Sequence, residues 1–335
     1  MAFCFKRKES VSKGVRRLGG QRIEHALHSL RDCHEPNAIH SVRKDIKRVR
    51  AVLRLMRTEI RKKDYRRMLK SLRNAAIHLA GPRDAHVKSQ GLSSLMQMRK
   101  GQLESATLRQ VRASLRDEAD TEMKKFAKDK TAKEVARSLE VVAEEFRGLK
   151  VKQQGWRALS VGVKTAFQDG KRAFQRARRA PTADNLHEWR KRAKDLWYQV
   201  TLLRRIWPEQ MEAMARDLEV LGENLGDYHD LVVLLQAVEQ HSPEHAREVE
   251  SLHQQIEERQ GQLCRAALEL GEQFYAEKPD VFCRRLAEYW LLWRRNKRRS
   301  PVGRPTGKNA GVSAGVRMLQ RERPVVLSAS RRAPR

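Results

Sequence analysis

Apolar residues recur along this chain at the three- and four-residue spacing of an α-helix that buries one side, and no convincing alternating strand pattern interrupts them. The pattern predicts an all-α fold. Between residues 37 and 180 the one proline is Pro82. Helix breaks are expected at Glu35-Pro36, Gly81-Pro82, Gly148, Gly155, Ala180-Pro181, Pro208, Gly226, Ser242-Pro243 and Pro279. Thr182 with Asn185, and Asp84 after Pro82, are placed to cap the helices that follow. About six helices are expected in each half.

The pattern also occurs twice. His40-Ser41-Val42-Arg43-Lys44-Asp45-Ile46-Lys47 returns 147 residues later as His187-Glu188-Trp189-Arg190-Lys191-Arg192-Ala193-Lys194. The apolar positions keep the same register: Val42 with Trp189, Ile46 with Ala193, Val49 with Leu196, Leu53 with Val200 and Met56 with Leu203. On a helix with about 100° between residues, the basic and apolar sets fall on opposite sides. His40, Arg43, Lys44, Lys47, Arg54 and Arg61 form one outward stripe running roughly 30 Å at about 1.5 Å per residue. That is long enough to follow a polymer.

Further along, Leu72, Leu79, Arg83 and Asp84 align at an offset of 146 with Leu218, Leu225, His229 and Asp230, and residues 15–27 align loosely with 162–174. A period this long fits two four-helix-bundle-like units related by an internal pseudo-twofold better than a short-period solenoid. The expected divisions are an N-terminal arm over 1–9, a first helical bundle over 10–153, a second over 154–295 and a tail over 296–335.

Charge decides what the polar side faces. The 335 residues carry 71 Lys or Arg against 41 Asp or Glu, a formal net charge of +30. Residues 294–335 hold 13 of the basic residues and one Glu, which leaves 58 basic against 40 acidic residues in the body. The excess therefore belongs to the folded part as well as to the Arg-, Pro-, Gly- and Ser-rich tail, which is expected to be disordered. Such a balance favours polyanionic partners: nucleic acid, anionic lipid or phosphate polymers. The four cysteines, Cys4, Cys33, Cys264 and Cys283, are isolated and read as free thiols of a reducing compartment rather than as zinc ligands. With no signal-peptide core and no apolar run of spanning length, the expected location is cytoplasmic.

Arginine offers paired donors to phosphate oxygens, lysine a mobile point charge, and histidine a donor whose charge depends on pH. A solvated helix face laced with salt bridges is the commonest fate of a charge run. Residues 43–73, however, hold 14 Lys or Arg and three acids (Asp45, Glu59, Asp64), so local neutralisation fails. The recurrence of the stripe in register then favours binding. His40 and His187, each near the head of its stripe beside Arg43 and Lys44 or Arg190 and Lys191, read as phosphate donors.

These residues resemble a known family. Glu35-Pro-Asn-Ala-Ile-His40-Ser-Val-Arg43-Lys-Asp-Ile-Lys47-Arg-Val-Arg50 is similar to the first signature of the conserved-histidine α-helical domain, CHAD. Leu186-His187-Glu-Trp-Arg190-Lys-Arg-Ala-Lys194-Asp-Leu-Trp-Tyr198 is similar to its second. Gly81-Pro82-Arg83-Asp84-Ala-His-Val87 and Leu221-Gly-Glu-Asn-Leu-Gly226-Asp-Tyr-His-Asp230 resemble the segments that follow each one, so the likeness covers roughly residues 10–293. The resemblance implies two helical bundles with internal twofold symmetry around a basic central groove, and binding of inorganic polyphosphate, often at polyphosphate granules. The matching positions are His40, Arg43, Lys47 and Arg50, and His187, Arg190 and Lys194. Lys44, Lys191 and Arg54 join them by geometry, and Arg16, Arg17 and Lys164, on the first helix of each unit, are further candidates. Trp197 departs from the pattern, standing where a basic residue would match Arg50.

The expected function is non-catalytic binding of polyphosphate, with no cofactor and no metal, because an extended line of cations with few aromatics, and none on the first stripe, suits an anion that has charge but no bases. Nucleic-acid binding, helped by the basic tail, is the alternative; single-strand binders add stacking platforms, and of the aromatics Trp197 and Tyr198 fall on the stripe. A metal-dependent phosphohydrolase would need ligands converging on His229-Asp230, and in the repeat that pair aligns with Arg83-Asp84, where arginine cannot ligate. Asp84 and Asp230 read instead as helix caps or partners for arginines.

Overall fold

Among the described residues the chain folds into α-helices with no strand. They are α1 (Val11–Ser29), α2 (Pro36–Leu55), α3 (Lys62–His78), α4 (Ala106–Lys128), α5 (Thr131–Arg147), α6 (Arg157–Arg179), α7 (Ala183–Leu203), α8 (Pro208–His241), α9 (Ala246–Phe274) and α10 (Pro279–Arg295). The computed structural model describes residues 3–32, 35–81, 106–128, 131–241 and 246–295, together with Ala85 and Ser89. Cys33, Pro82-Arg83-Asp84, Ser242-Pro243 and the tail over 296–335 lie outside the described residues, and with them the expectations placed there.

Local chemistry sets most boundaries. Ser10 accepts a hydrogen bond from the Lys13 amide at 3.2 Å and Thr182 one from the Asn185 amide at 3.3 Å, satisfying donors that the first turns of α1 and α7 leave open. Proline stands at the first position of α2, α8 and α10, where its missing N–H costs nothing. Gly155, at φ 64°, turns the chain between the halves in a conformation other residues rarely adopt.

Two expected features fall differently. Gly226 does not break a helix: it lies within the 34-residue α8, as does Asp230, which is therefore not a cap. Arg61 is not on the α2 stripe, because α2 ends at Leu55. There α6 crosses so closely that a Cβ on Gly162 would meet the Leu55 carbonyl oxygen at 2.1 Å. The chain then turns through Met56 and Ile60, both buried, and Glu59, whose carboxylate accepts a hydrogen bond from the Gln153 amide at 2.8 Å. Arg61 begins α3 and pairs with Asp64 at 2.7 Å.

The ten apolar positions paired by the repeat, from Val42 to Leu203, are all buried, each gaining roughly 1–3 kcal/mol on leaving water. They build the same arrangement twice. In the first half α1 packs on α2 and α5, and α3 on both; in the second, α7 packs on α6 and α8, α8 on α9, and α9 returns to α6, with α10 along α6. The halves are not separately cored. One cluster of buried apolar side chains runs through both, and residues up to Asn296 form one compact unit. A smaller cluster of Val111 and Leu115 on α4 with Leu234, Val238, Leu252 and Ile256 ties the first half to the far ends of α8 and α9. The N-terminal arm is part of the fold: Cys4 and Phe5 are buried, and the Phe5 amide donates to the Leu202 carbonyl at 3.0 Å. No helix among the described residues is long and apolar enough to cross a membrane.

Candidate functional site

The two basic helices cross, and the crossing gathers the stripes. His40 and His187 are each the fifth residue of their helix, α2 and α7. His40, Lys44 and Lys47 are exposed on α2, with Arg43, Arg50 and Arg54 partly buried; Lys191 is exposed on α7, with His187, Arg190 and Lys194 partly buried. Cations of both halves share one field. Burial holds the Lys194 ammonium below its usual range, Arg190 and Lys44 push it the same way, and Glu219 and Glu223 on α8 act against them.

One acid organises the junction. Asp195 on α7 pairs with Arg54 on α2, lies 3.9 Å from Arg192, and its carboxyl is raised by burial against the pull of Arg54, Arg192 and Arg50. Arg50 itself is held below its usual range by burial and by the positive charges of Arg54 and Arg73. Asp45, the acid within the first signature, turns inward, where Arg22, Arg48 and His25 surround its fully buried carboxylate, the last with Nδ1 at 2.5 Å. It therefore does not neutralise the stripe.

Equivalent residues of the repeat do different work. Arg43 donates from Nη1 to the carbonyls of Leu79 at 2.9 Å and Ala76 at 3.3 Å, closing the end of α3. In the second half α8 runs on past the matching position and leaves no open carbonyls. Its counterpart Arg190 instead lies across Gly226, where a Cβ would sit 3.0 Å from Nη2 and 3.1 Å from Nε, and Nε is buried without a hydrogen-bond partner among the described residues. One turn earlier Lys194 lies across Gly222, whose Cβ would meet Cε at 2.6 Å. Each glycine in a helix interior costs about 1 kcal/mol relative to alanine. Gly222 and Gly226 are thus a bed for two cations, and Gly226 is the glycine that sequence reading takes for a break.

His187 packs against His229 of α8 with ring centroids 4.3 Å apart and the rings tilted by 41°, and its Nδ1 is buried without a hydrogen-bond partner among the described residues. Burial holds the His187 imidazole below its usual range, and His229, Lys191 and Arg190 lower it further, against Glu188. His229 enters the site through this contact, not through the metal pair that its neighbour Asp230 suggests. Lys191 is tied to Glu188 at 2.5 Å, and Arg192 donates to the same carboxylate at 2.8 Å. Trp197 lies under Lys194 with its ring centroid 5.2 Å from Nζ, while Tyr198 turns into the core, where burial pushes its hydroxyl up to about 12.

The candidates from the first helix of each unit are not gathered here. Arg17 is spent on Glu9, at 2.5 and 2.9 Å, and on the Cys4 carbonyl at 2.9 Å, anchoring the arm. Lys164, its counterpart in the repeat, pairs with Asp280 of α10 at 2.5 Å, and Arg16 is exposed on α1. Arg17 and Lys164 are thus each paired with an acid, while Arg16 faces solvent on α1.

Fold and site together define an all-helical protein in which a repeated long helix turns cations outward at a crossing shared by both halves. The family model for the CHAD domain matches residues 20–239, and the chain belongs to that family. Among solved structures, PptA from Streptomyces chartreusis is similar at a TM-score of 0.57 and 14% identity, over 79% of this chain and 99% of that one. The CHAD domain from the plant Ricinus communis is similar at 0.58 and 18%, over 80% and 95%. At these identities the likeness is one of fold. No curated protein matches the sequence.

Proposed function

We propose that this protein binds inorganic polyphosphate, without catalysing a reaction on it, along the cations gathered where α2 and α7 cross, and that this binding places it at polyphosphate granules. The observation that carries the reading is that cations of both halves come together where α2 contacts α7: Arg54 of α2 pairs with Asp195 of α7, and on the same helix Arg190 and Lys194 lie over Gly226 and Gly222. Outward cations from two helices make a surface for a repeating anion wider than either helix offers alone. Membership of the CHAD family supports the choice of anion, since that family is linked to polyphosphate. Donors such as the Arg190 guanidinium and the His187 imidazole suit phosphate oxygens, which accept hydrogen bonds without needing a stacked base.

The test is a titration of the full chain with long-chain polyphosphate and with mixed-sequence DNA at matched salt, repeated for the triple variant Lys44→Ala, Lys47→Ala, Lys194→Ala. Polyphosphate is expected to bind more tightly, and the variant to lose at least about tenfold, with a shallower dependence on salt as cations are removed. Equal or stronger binding of DNA would show a generic charge surface and overturn the reading.

A further inference from the structure

The α3 helix and its counterpart at the start of α8 keep the same buried register, Leu72 with Leu218 and Leu79 with Leu225, all four essentially inaccessible. Their outer faces have opposite charge. Residues 62–78 carry six Lys or Arg and one acid, whereas residues 208–224 carry one Arg and five Asp or Glu. Where α3 has Lys63, Arg66 and Arg73, α8 has Glu209, Glu212 and Glu219. Packing constrains only the inner positions, so this reversal is not required by the fold.

On α3, Lys62, Arg66, Lys70 and Arg73 lie within about 80° of one another around the helix and span roughly 16 Å along it. All four are exposed, and none makes an ion pair among the described residues, unlike Arg67, which pairs with Asp64 and Glu145. This helix adjoins the α2 stripe: Tyr65 of α3 lines one cleft with Arg54, Arg57, Arg192 and Asp195, Arg43 of α2 donates to the Ala76 and Leu79 carbonyls at the end of α3, and Arg73 acts on Arg50. At the matching place in the second half, Glu219 and Glu223 face Lys194, and Glu223 and Asp227 lie near one another beside Arg190.

We infer that Lys62, Arg66, Lys70 and Arg73 form an exit track by which a long phosphate polymer, held at the α2–α7 crossing, continues over the first half only, while the α8 acids turn it away from the second. This rests on the proposed binding of polyphosphate. It adds that the site is directional and that its preference for long chains resides in α3. A short chain is satisfied by the crossing; a long one finds a further line of cations on α3.

The experiment is the full-length triple variant Lys62→Gln, Arg66→Gln, Lys70→Gln, all exposed positions that leave Arg73 and Arg50 in place. Its affinity for short-chain and long-chain polyphosphate is measured against salt, alongside its circular dichroism and melting temperature. Long-chain affinity is expected to fall about tenfold and the slope of log affinity against log salt to flatten by about 2, at roughly 0.7 for each phosphate no longer neutralised, with short-chain affinity unchanged. An equal fall for both lengths would reduce α3 to a contributor to the general field, and no change for long chains would remove it from the track; either result overturns the inference while leaving polyphosphate binding intact. A wild-type protein that binds neither length would overturn both.

Discussion

The two halves repeat one helix ring, yet they present their cations in opposite ways. In the second half Arg190 and Lys194 are partly buried and rest on Gly226 and Gly222, His187 packs at a tilt against His229, the exposed Lys191 is held by Glu188, and the acids of α8 face the group. In the first half Lys44 and Lys47 are exposed beside the partly buried Arg43, Arg50 and Arg54, Ser41 stands where the second half has Glu188, and the neighbouring α3 carries six Lys or Arg against one acid. Buried, positioned donors act at short range and set how long a ligand stays. Exposed cations act through the field and set salt dependence and capture. On the proposed function, the second half would act as a grip and the first as a rail.

That contrast breaks most sharply at the two equivalent arginines. Arg190→Ala with Lys194→Ala removes two charge-assisted hydrogen bonds of about 1.5–3 kcal/mol each, so polyphosphate affinity is expected to fall at least about a hundredfold for short and long chains alike. Thermal unfolding should hardly change. Arg43→Ala is expected to do the reverse, costing about 1–2 kcal/mol of stability because the Ala76 and Leu79 carbonyls lose their donor, with a smaller loss of affinity. Parallel titrations and melting curves of the two variants test this; equal effects on binding would erase the division between grip and rail.

The histidine pair gives a smaller effect with a definite sign. Because His187 is held below the usual imidazole value by burial and then by His229, Lys191 and Arg190, it is neutral at pH 7 in the folded protein. The unfolded chain takes up its proton first, so without anion the His187 contribution to stability declines as pH falls below about 6.5. Bound polyphosphate supplies the compensating charge. Affinity should therefore rise over the same interval, by up to about tenfold for one proton taken up per unit of pH. His187→Ala should flatten both profiles, as followed by melting temperature and titration between pH 7.5 and about 5.5. If the profiles of wild type and variant coincide, the pair is structural.

The smallest expected effect comes from making the first half resemble the second at one position. Ser41→Glu places an acid beside Lys44 as Glu188 stands beside Lys191, and should weaken long-chain binding about two- to threefold at low salt, an effect that disappears at high salt as an exposed pair is screened. Persistence of the loss at high salt would mean that Lys44 touches the polymer directly.

Much of this was legible from the residues alone. Spacing by three and four with a 147-residue repeat fixes which sides of α2 and α7 are buried, and each paired apolar position is in the core. Caps and prolines are local, so Thr182, Pro36, Pro208 and Pro279 mark helix boundaries without knowledge of the rest, whereas the cap at Ser10 is seen only in the structure. The helix periodicity does not say where α2 ends, because Arg61 satisfies the angular pattern, whereas in the structure the helix ends at Leu55, where α6 approaches closely. Nor does it separate Arg17, bound to Glu9, from the cations that face solvent, since both satisfy the same spacing.

The sequence by itself determined the helical class, the duplication, the outward stripes and the excess of positive charge, because these depend on the order of residues and the geometry of a single helix. The tertiary structure decided which cations meet. It set Lys44 in the field of Lys194, Asp195 against Arg54, His229 on His187 and Gly226 under Arg190. Those relations join residues up to 150 positions apart on different helices, and helix periodicity carries no information about the neighbour a helix face will find.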